Sequence, residues 1–169
     1  MIHPIVKYGD PILETPAKPV EKFDDELQAL VADMFESMYA AQGVGLAAPQ
    51  IGVSLFLTVI DVSNGKNPDA KLVLANPEII HTEGEQHEEE GCLSVPGFRG
   101  VVSRPLYVTI HAQDVAGKEY EMRGEGLLAR AFCHEIDHLH GVLFIRHLSF
   151  LKRDMIRRKI RKMQKAGEW

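Results

Sequence analysis

Only two cysteines, Cys92 and Cys133, occur in the 169 residues. A small secreted domain stapled by disulfides carries more. The two thiols therefore read as buried groups, metal ligands or reactive groups. No apolar run approaches the roughly 18 residues that a membrane-spanning helix needs, so no membrane role is expected. The start, Met1-Ile2-His3-Pro4, lacks a basic stretch followed by an apolar one, and nothing in it reads as a signal peptide. Cytoplasmic residence is the resulting expectation. Positive charge is not in excess either. A net charge of −5 argues against DNA binding by the domain as a whole. No repeat, low-complexity tract or linker interrupts the chain, and its length suits one domain spanning residues 1–169.

The charge is unevenly spread. From Leu148 onward, eight Lys/Arg face only Asp154 and Glu168. Residues 148–169 thus form a basic tail that can dock on something anionic or simply present a solvated face. Leu151, Met155, Ile156, Ile160 and Met163 give this tail an apolar helical stripe.

An N-terminal helix is marked by Leu27, Leu30, Val31, Met34, Phe35, Met38 and Tyr39. Asp24 or Asp25 can cap its start and Gly43 can end it. A Gly-rich loop follows, Gly43-Val44-Gly45-Leu46-Ala47-Ala48-Pro49-Gln50. Five strands are expected at Leu55–Asp61, Leu72–His81, Val101–Arg104, Leu106–Gln113 and Glu119–Arg123, punctuated by Gly and Pro. No helices alternate with them, so the class is α+β: small antiparallel sheets around a central helix, with an N-terminal and a C-terminal helix. The central helix runs from about Glu125 to Leu139, closed by Gly141. Leu127, Leu128, Ala131, Phe132, Ile136 and Leu139 supply its buried surface.

That central helix carries His134-Glu135-Ile136-Asp137-His138, an HExxH motif. His134 and His138 lie about 40° apart on one face, so two imidazoles can bind one metal. Glu135 sits about 60° from His138 and can take a proton from metal-bound water without ligating the metal. A catalytic site needs a third protein ligand and an open position. The extended HExxHxxGxxH pattern fails, because Phe144 stands where the third His belongs. A later ligand Glu also fails, because the only Glu beyond Leu139 is Glu168. Cys133 lies about 140° around the helix from His138 and reads as a small buried residue. Cys92, in Glu90-Gly91-Cys92-Leu93-Ser94, can be either a ligand or a core thiol. Gly43 and Gly45 can let another group approach the backbone of this loop closely. Glu90 and Asp137 can each accept a hydrogen bond from a ligand imidazole, although a plain surface or ion-paired role suits Asp137 equally well. The remaining histidines, His3, His81, His87, His111, His140 and His147, have no supporting constellation.

Three blocks together, Gly43 to Gln50, Glu90 to Ser94 and His134 to His138, resemble in order and spacing the signature motifs of peptide deformylases. Tyr8-Gly9-Asp10-Pro11-Ile12-Leu13 resembles the opening segment of that family. The resemblance covers nearly the whole chain; Cys133 departs from it, standing where many members have Gln. It implies a hydrolase that removes the formyl group from N-formylmethionyl nascent peptides. It further implies Cys92, His134 and His138 as metal ligands, with iron(II) as the metal and zinc, nickel or cobalt as substitutes. Glu135 becomes the proton carrier. The Gln50 amide and the Leu93 backbone N–H stabilise the developing oxyanion. Gly43, Val44, Gly45 and Arg99 contact substrate, Val44 and Leu93 lining a methionine pocket. The basic tail becomes a docking element for ribosomal RNA. A metallopeptidase and a non-catalytic binding protein remain the rival readings.

Overall fold

The computed structural model describes residues 1–169. Helix α1 spans Asp25–Ala40. The Asp24 carboxylate accepts from the Leu27 N–H at 3.0 Å, a cap worth about 1 kcal/mol. Leu27, Val31, Met34, Phe35 and Met38 are buried along one face, with Leu30 and Tyr39 at its edge. Gly43 does not supply the left-handed residue that ends the helix; Gln42 does, with φ 59°. The Gln42 N–H bonds to the Tyr39 carbonyl and the Gly43 N–H to the Met38 carbonyl, which is a Schellman closure.

The strands are β1 (Gly45–Ala47), β2 (Leu57–Ile60), β3 (Leu72–Glu83), β4 (Gln86–Gly91), β5 (Arg99–Arg104), β6 (Tyr107–Gln113) and β7 (Glu119–Glu125). All pairings are antiparallel. One five-stranded sheet runs in the order β1-β2-β3-β6-β7, and β4-β5 forms a separate hairpin. Two strands lie where no strand was expected. β1 is three residues of the Gly-rich segment, paired through Gly45 with Ile60. β4 is an acidic run whose Glu88 and Glu89 face solvent while Glu90 turns inward, so it lacks an apolar alternation. β3 bends at Asn76, where φ is 50°. The Asn76 amide ties this bulge to the backbone of Val20 and to Gln113.

Helix α2, Leu127–Leu139, packs on the sheet and buries Ala131, Phe132, Ile136 and Leu139. Leu127 was expected among them but is 52% exposed, because it opens the helix at the mouth of a cavity. Gly141 ends this segment with φ 79°. A Cβ there would stand 2.8 Å from the Glu14 carbonyl carbon, so only glycine fits. Helix α3, Phe150–Lys165, is capped by Ser149 and rests on Leu13, Val95 and Phe144 through Ile156 and Ile160. The expected apolar stripe is narrower than its sequence pattern. Leu151 and Met155 are 80% and 43% exposed, since Leu151 lies about 140° around the helix from Ile156. The architecture is α+β, with α2 at its centre. No helix is long and apolar enough to cross a membrane.

Candidate metal centre and active site

Cys92 leaves the end of β4 and enters a tight turn closed by the Val95 N–H on the Cys92 carbonyl, 3.0 Å. The Ser94 N–H points at Cys92 Sγ from 3.4 Å. α2 brings His134 and His138 to the same point. His138 Nε2 is 3.1 Å from His134 Nε2 and 3.2 Å from Cys92 Sγ. All three donor atoms lie within 4.8 Å of one another. A tetrahedral site with N ligands at ~2.0–2.1 Å and a thiolate at ~2.3 Å has edges of roughly 3.3–3.6 Å. One thiolate and two imidazoles at nearly that spacing fit a divalent transition metal and leave one position open. Cys92 thus belongs to this cluster, and Cys133 lies apart from it as a buried thiol whose pKa burial pushes up to about 11.

Burial, the other cluster members and Glu90 together set the protonation of the pair. Burial and the neighbouring His134 hold the His138 pKa well below its usual value, which favours the free base. At His134 burial acts the same way, but Cys92 and Glu90 outweigh it and raise the pKa. Glu90 Oε1 lies 2.6 Å from His134 Nδ1, the contact that leaves Nε2 facing its partners. Burial alone would raise the Glu90 pKa; His134 and Arg104 reverse that and hold it well below the carboxylate range.

Glu135 is nearly fully buried beside the cluster, its Oε2 3.9 Å from His134 Nε2 and its Oε1 without a protein partner. Burial pushes its carboxyl up to about 7, with His134 opposing the rise. A group poised there can both accept and return a proton near neutral pH. Gln50 comes from a short 3-10 turn behind β1. Its Oε1 accepts from the Ala47 N–H at 3.0 Å, so the amide nitrogen must face Ser94 Oγ, 3.1 Å away, and Cys92 Sγ, 3.6 Å away. The Leu93 N–H has no protein acceptor. These groups line a cavity of about 640 Å³ together with Gly43, Val44, Gly45 and Arg99. Gly43 has a steric reason to be glycine, since a Cβ would sit 2.7 Å from Leu93 Cδ1. Arg99 stands exposed at the rim, 3.5 Å from Glu89.

A family model for polypeptide deformylase matches residues 2–154. The chain belongs to the polypeptide deformylase family. A peptide deformylase of Acidobacterium capsulatum is 65% identical over 100% of this chain and 99% of its own length. A crystal structure of a peptide deformylase from Legionella pneumophila is 52% identical, with a TM-score of 0.92 over 99% of this chain and 98% of that one. The peptide deformylase structure from Thermus thermophilus is 42% identical, with a TM-score of 0.86 over 95% and 94% of the two chains. The activity is that of a metal-dependent hydrolase acting on formylated nascent peptides, which frees the N-terminal methionine of its formyl group.

Of the two roles open to Asp137, the structure has the ion-paired one. Asp137 reaches neither ligand imidazole. It accepts from Arg104 Nη1 at 2.8 Å and lies 2.8 Å from His147 Nε2. His147, read as unsupported, therefore has a partner, and His138 Nδ1 has none. Two buried arginines went unnoticed in the sequence. Arg104 clasps both oxygens of Glu90, at 2.6 and 3.1 Å, and Arg130 reaches Glu90 Oε2 at 2.6 Å. Both left a signal. Arg130, His134 and His138 share one helical face at i, i+4 and i+8, and Arg104 shares the inner face of β5 with Val102.

Proposed function

We propose that Cys92, His134 and His138 hold the metal of this deformylase, that Glu135 carries the protons, and that Gln50 and Leu93 stabilise the formyl oxyanion. The observation that carries this reading is the convergence of three donor atoms within 4.8 Å beside a buried carboxyl poised at about 7. A divalent metal there supplies Lewis-acid polarisation and lowers the pKa of water from about 15.7 towards about 7. Glu135 accepts the proton of the attacking water and returns it to the departing amine of the peptide. The Gln50 amide is pre-aimed by Ala47, so it meets the developing charge without reorganisation, as does the Leu93 N–H.

Gly43, Val44 and Gly45 form the wall on which the peptide backbone lies, Val44 and Leu93 flank the methionine side chain, and Arg99 meets the peptide further out. Iron(II) is the physiological metal, and zinc, nickel or cobalt can replace it, because one thiolate and two imidazoles do not discriminate sharply. Exposed iron(II) beside the Cys92 thiolate makes oxidation a route of inactivation. The chain works as one catalytic unit over residues 1–169 in the cytoplasm. Its basic helix α3 docks on ribosomal RNA through the exposed Lys152, Arg157, Arg158, Lys159, Arg161 and Lys162.

Formate release from formyl-Met-Ala-Ser tests the catalytic assignment. Protein purified without oxygen and loaded with iron(II) or nickel(II) runs beside Glu135→Ala. Turnover by the first, and none by a variant that still binds metal, is expected; turnover by both removes Glu135 from its role. Docking is tested by ribosome co-sedimentation in low and high salt. Glutamine at the six basic positions leaves the buried Ile156 and Ile160 in place. Salt-insensitive binding that survives these changes rejects it.

A further inference from the structure

The proposed ligands sit on two separate parts of the fold. Cys92 follows β4, whereas His134 and His138 ride on α2. The β4-β5 hairpin pairs with no strand of the five-stranded sheet. Something other than a strand ladder must hold the thiolate at its distance from the imidazoles.

Arg130 makes that connection. Its Nη1 donates to Glu90 Oε2 at 2.6 Å, its Nη2 to the Val102 carbonyl at 3.0 Å, and its Nε to Gln86 Oε1 at 3.3 Å. One buried side chain of α2 thereby grips both strands of the hairpin. Arg130 also precedes His134 by one helical turn on the same face, and it lines the cavity. Arg104 holds Glu90 from the other side, but it shares its guanidinium with Asp137, which is half-open to solvent and contacts His147. Arg130 is tied to the buried Glu90 carboxylate and the buried Val102 carbonyl, and to the part-buried Gln86.

We propose that Arg130 is a positioning residue for the metal centre. By fixing Glu90 Oε2 it aims Glu90 Oε1 at His134 Nδ1, and so sets where His134 Nε2 points relative to Cys92 Sγ. The proposal rests on the reading of Cys92, His134 and His138 as ligands. Without Arg130, Oε2 keeps only the Arg104 Nε donor, the hairpin is left with the Arg104–Asp137 bridge as its arginine link to α2, and Glu90 follows Arg104 away from His134. A carboxylate behind a ligand imidazole is worth about 10–100-fold in metal affinity, and the loss of its anchor draws on the same quantity. A purely structural staple would lower thermal stability and leave metal affinity where it was.

Arg130→Met keeps an aliphatic stem and removes all three donors. The dissociation constant for zinc(II), measured on metal-free protein against a chromophoric chelator, is the first readout. The second is the nuclear-magnetic-resonance signal of the His134 Nδ1–H in the metal-free protein, which reports the bond to Glu90 directly. Zinc is expected to bind about 10–100-fold more weakly, with the Nδ1–H signal shifted or lost. Arg130→Lys, which keeps one cation, should fall between. Unchanged affinity and an unchanged signal in Arg130→Met, whatever its melting temperature, overturn the proposal. If Arg130→Met does not fold, Arg130→Lys decides by the same two readouts: weaker zinc binding and a moved signal support the proposal, and wild-type values overturn it. Cys92→Ala separates the underlying reading. If it binds zinc as tightly as wild type, the ligand assignment has failed, independently of Arg130.

Discussion

The carboxylate of Glu135 rests against the α-carbon of Gly45: a methyl group at that position would lie 2.7 Å from Glu135 Oε2. Gly45 has an ordinary strand backbone, so alanine brings no conformational strain of its own. Its cost is displacement of the one carboxylate proposed to move protons. A misplacement near 1 Å can cost about 100-fold in rate. Gly45→Ala should therefore lower kcat by about that factor with a much smaller change in melting temperature. Steady-state kinetics on formyl-Met-Ala-Ser check it, and an unchanged kcat would mean that Glu135 tolerates the shift.

Gln50→Leu removes the amide whose direction Ala47 sets. One donor of this kind is worth about 2.7–4 kcal/mol of barrier, so kcat should drop about 100- to 1,000-fold while KM moves little. A variant altered only in KM would make Gln50 a binding residue and not a stabiliser of the oxyanion.

The central helix was legible because its motif and its apolar face share one period, so His134, His138 and the helix that aligns them come from the same pattern. Cys92 was not settled by the residues, since its place beside His138 depends on the turn after β4 and on hairpin packing that no local pattern encodes. β4 itself escaped notice because a two-stranded ribbon with a wet face needs no alternation of apolar residues. Arg104 and Arg130 were hidden for a related reason. A buried cation is unusual, and only the structure reveals that Glu90 sits between two of them.

Asp61 offers a test of stability against pH that lies away from the metal. It is fully buried and bonded to Tyr39, to Ser63 through hydroxyl and N–H, and to the Gly65 N–H. Burial alone would raise its pKa, but these donors lower it below the ordinary 3.8. The unfolded chain takes up the proton first as pH falls, so the stability from Asp61 is present above about pH 4 and is lost as pH drops through the folded value. Asp61→Asn should be less stable at pH 7 and show a flatter decline in urea midpoint between pH 5 and pH 3. An equal slope in both proteins would assign acid sensitivity to other carboxylates.

Helix α3 separates packing from sequence pattern. Ile156 is 1% exposed and Leu151 is 80% exposed. Ile156→Ala should cost about 2–5 kcal/mol, as cavity-forming core substitutions do, whereas Leu151→Ala should stay within about 0.5 kcal/mol. Denaturant unfolding of the two variants checks the contrast. Comparable losses would place Leu151 against the body of the protein.

Metal removal should leave a folded, inactive protein. The donor atoms stand on elements that are fixed by other means: α2 by Phe132 and Ile136 in the core, and the β4-β5 hairpin by Arg104 and Arg130 on Glu90. A small metal-organised domain loses its fold with its ion, but here three apolar clusters are built from buried side chains other than the proposed ligands. Dialysis against chelator should abolish formate release, leave the far-ultraviolet circular dichroism unchanged and lower the melting temperature. The fall follows from ligand linkage, in which metal at 100 times its Kd contributes about 2.7 kcal/mol. Returning nickel(II) or iron(II) without oxygen should restore both activity and melting temperature. Loss of the dichroism on chelation would show instead that the metal, and not the arginine-held carboxylate, is what keeps the hairpin on the helix.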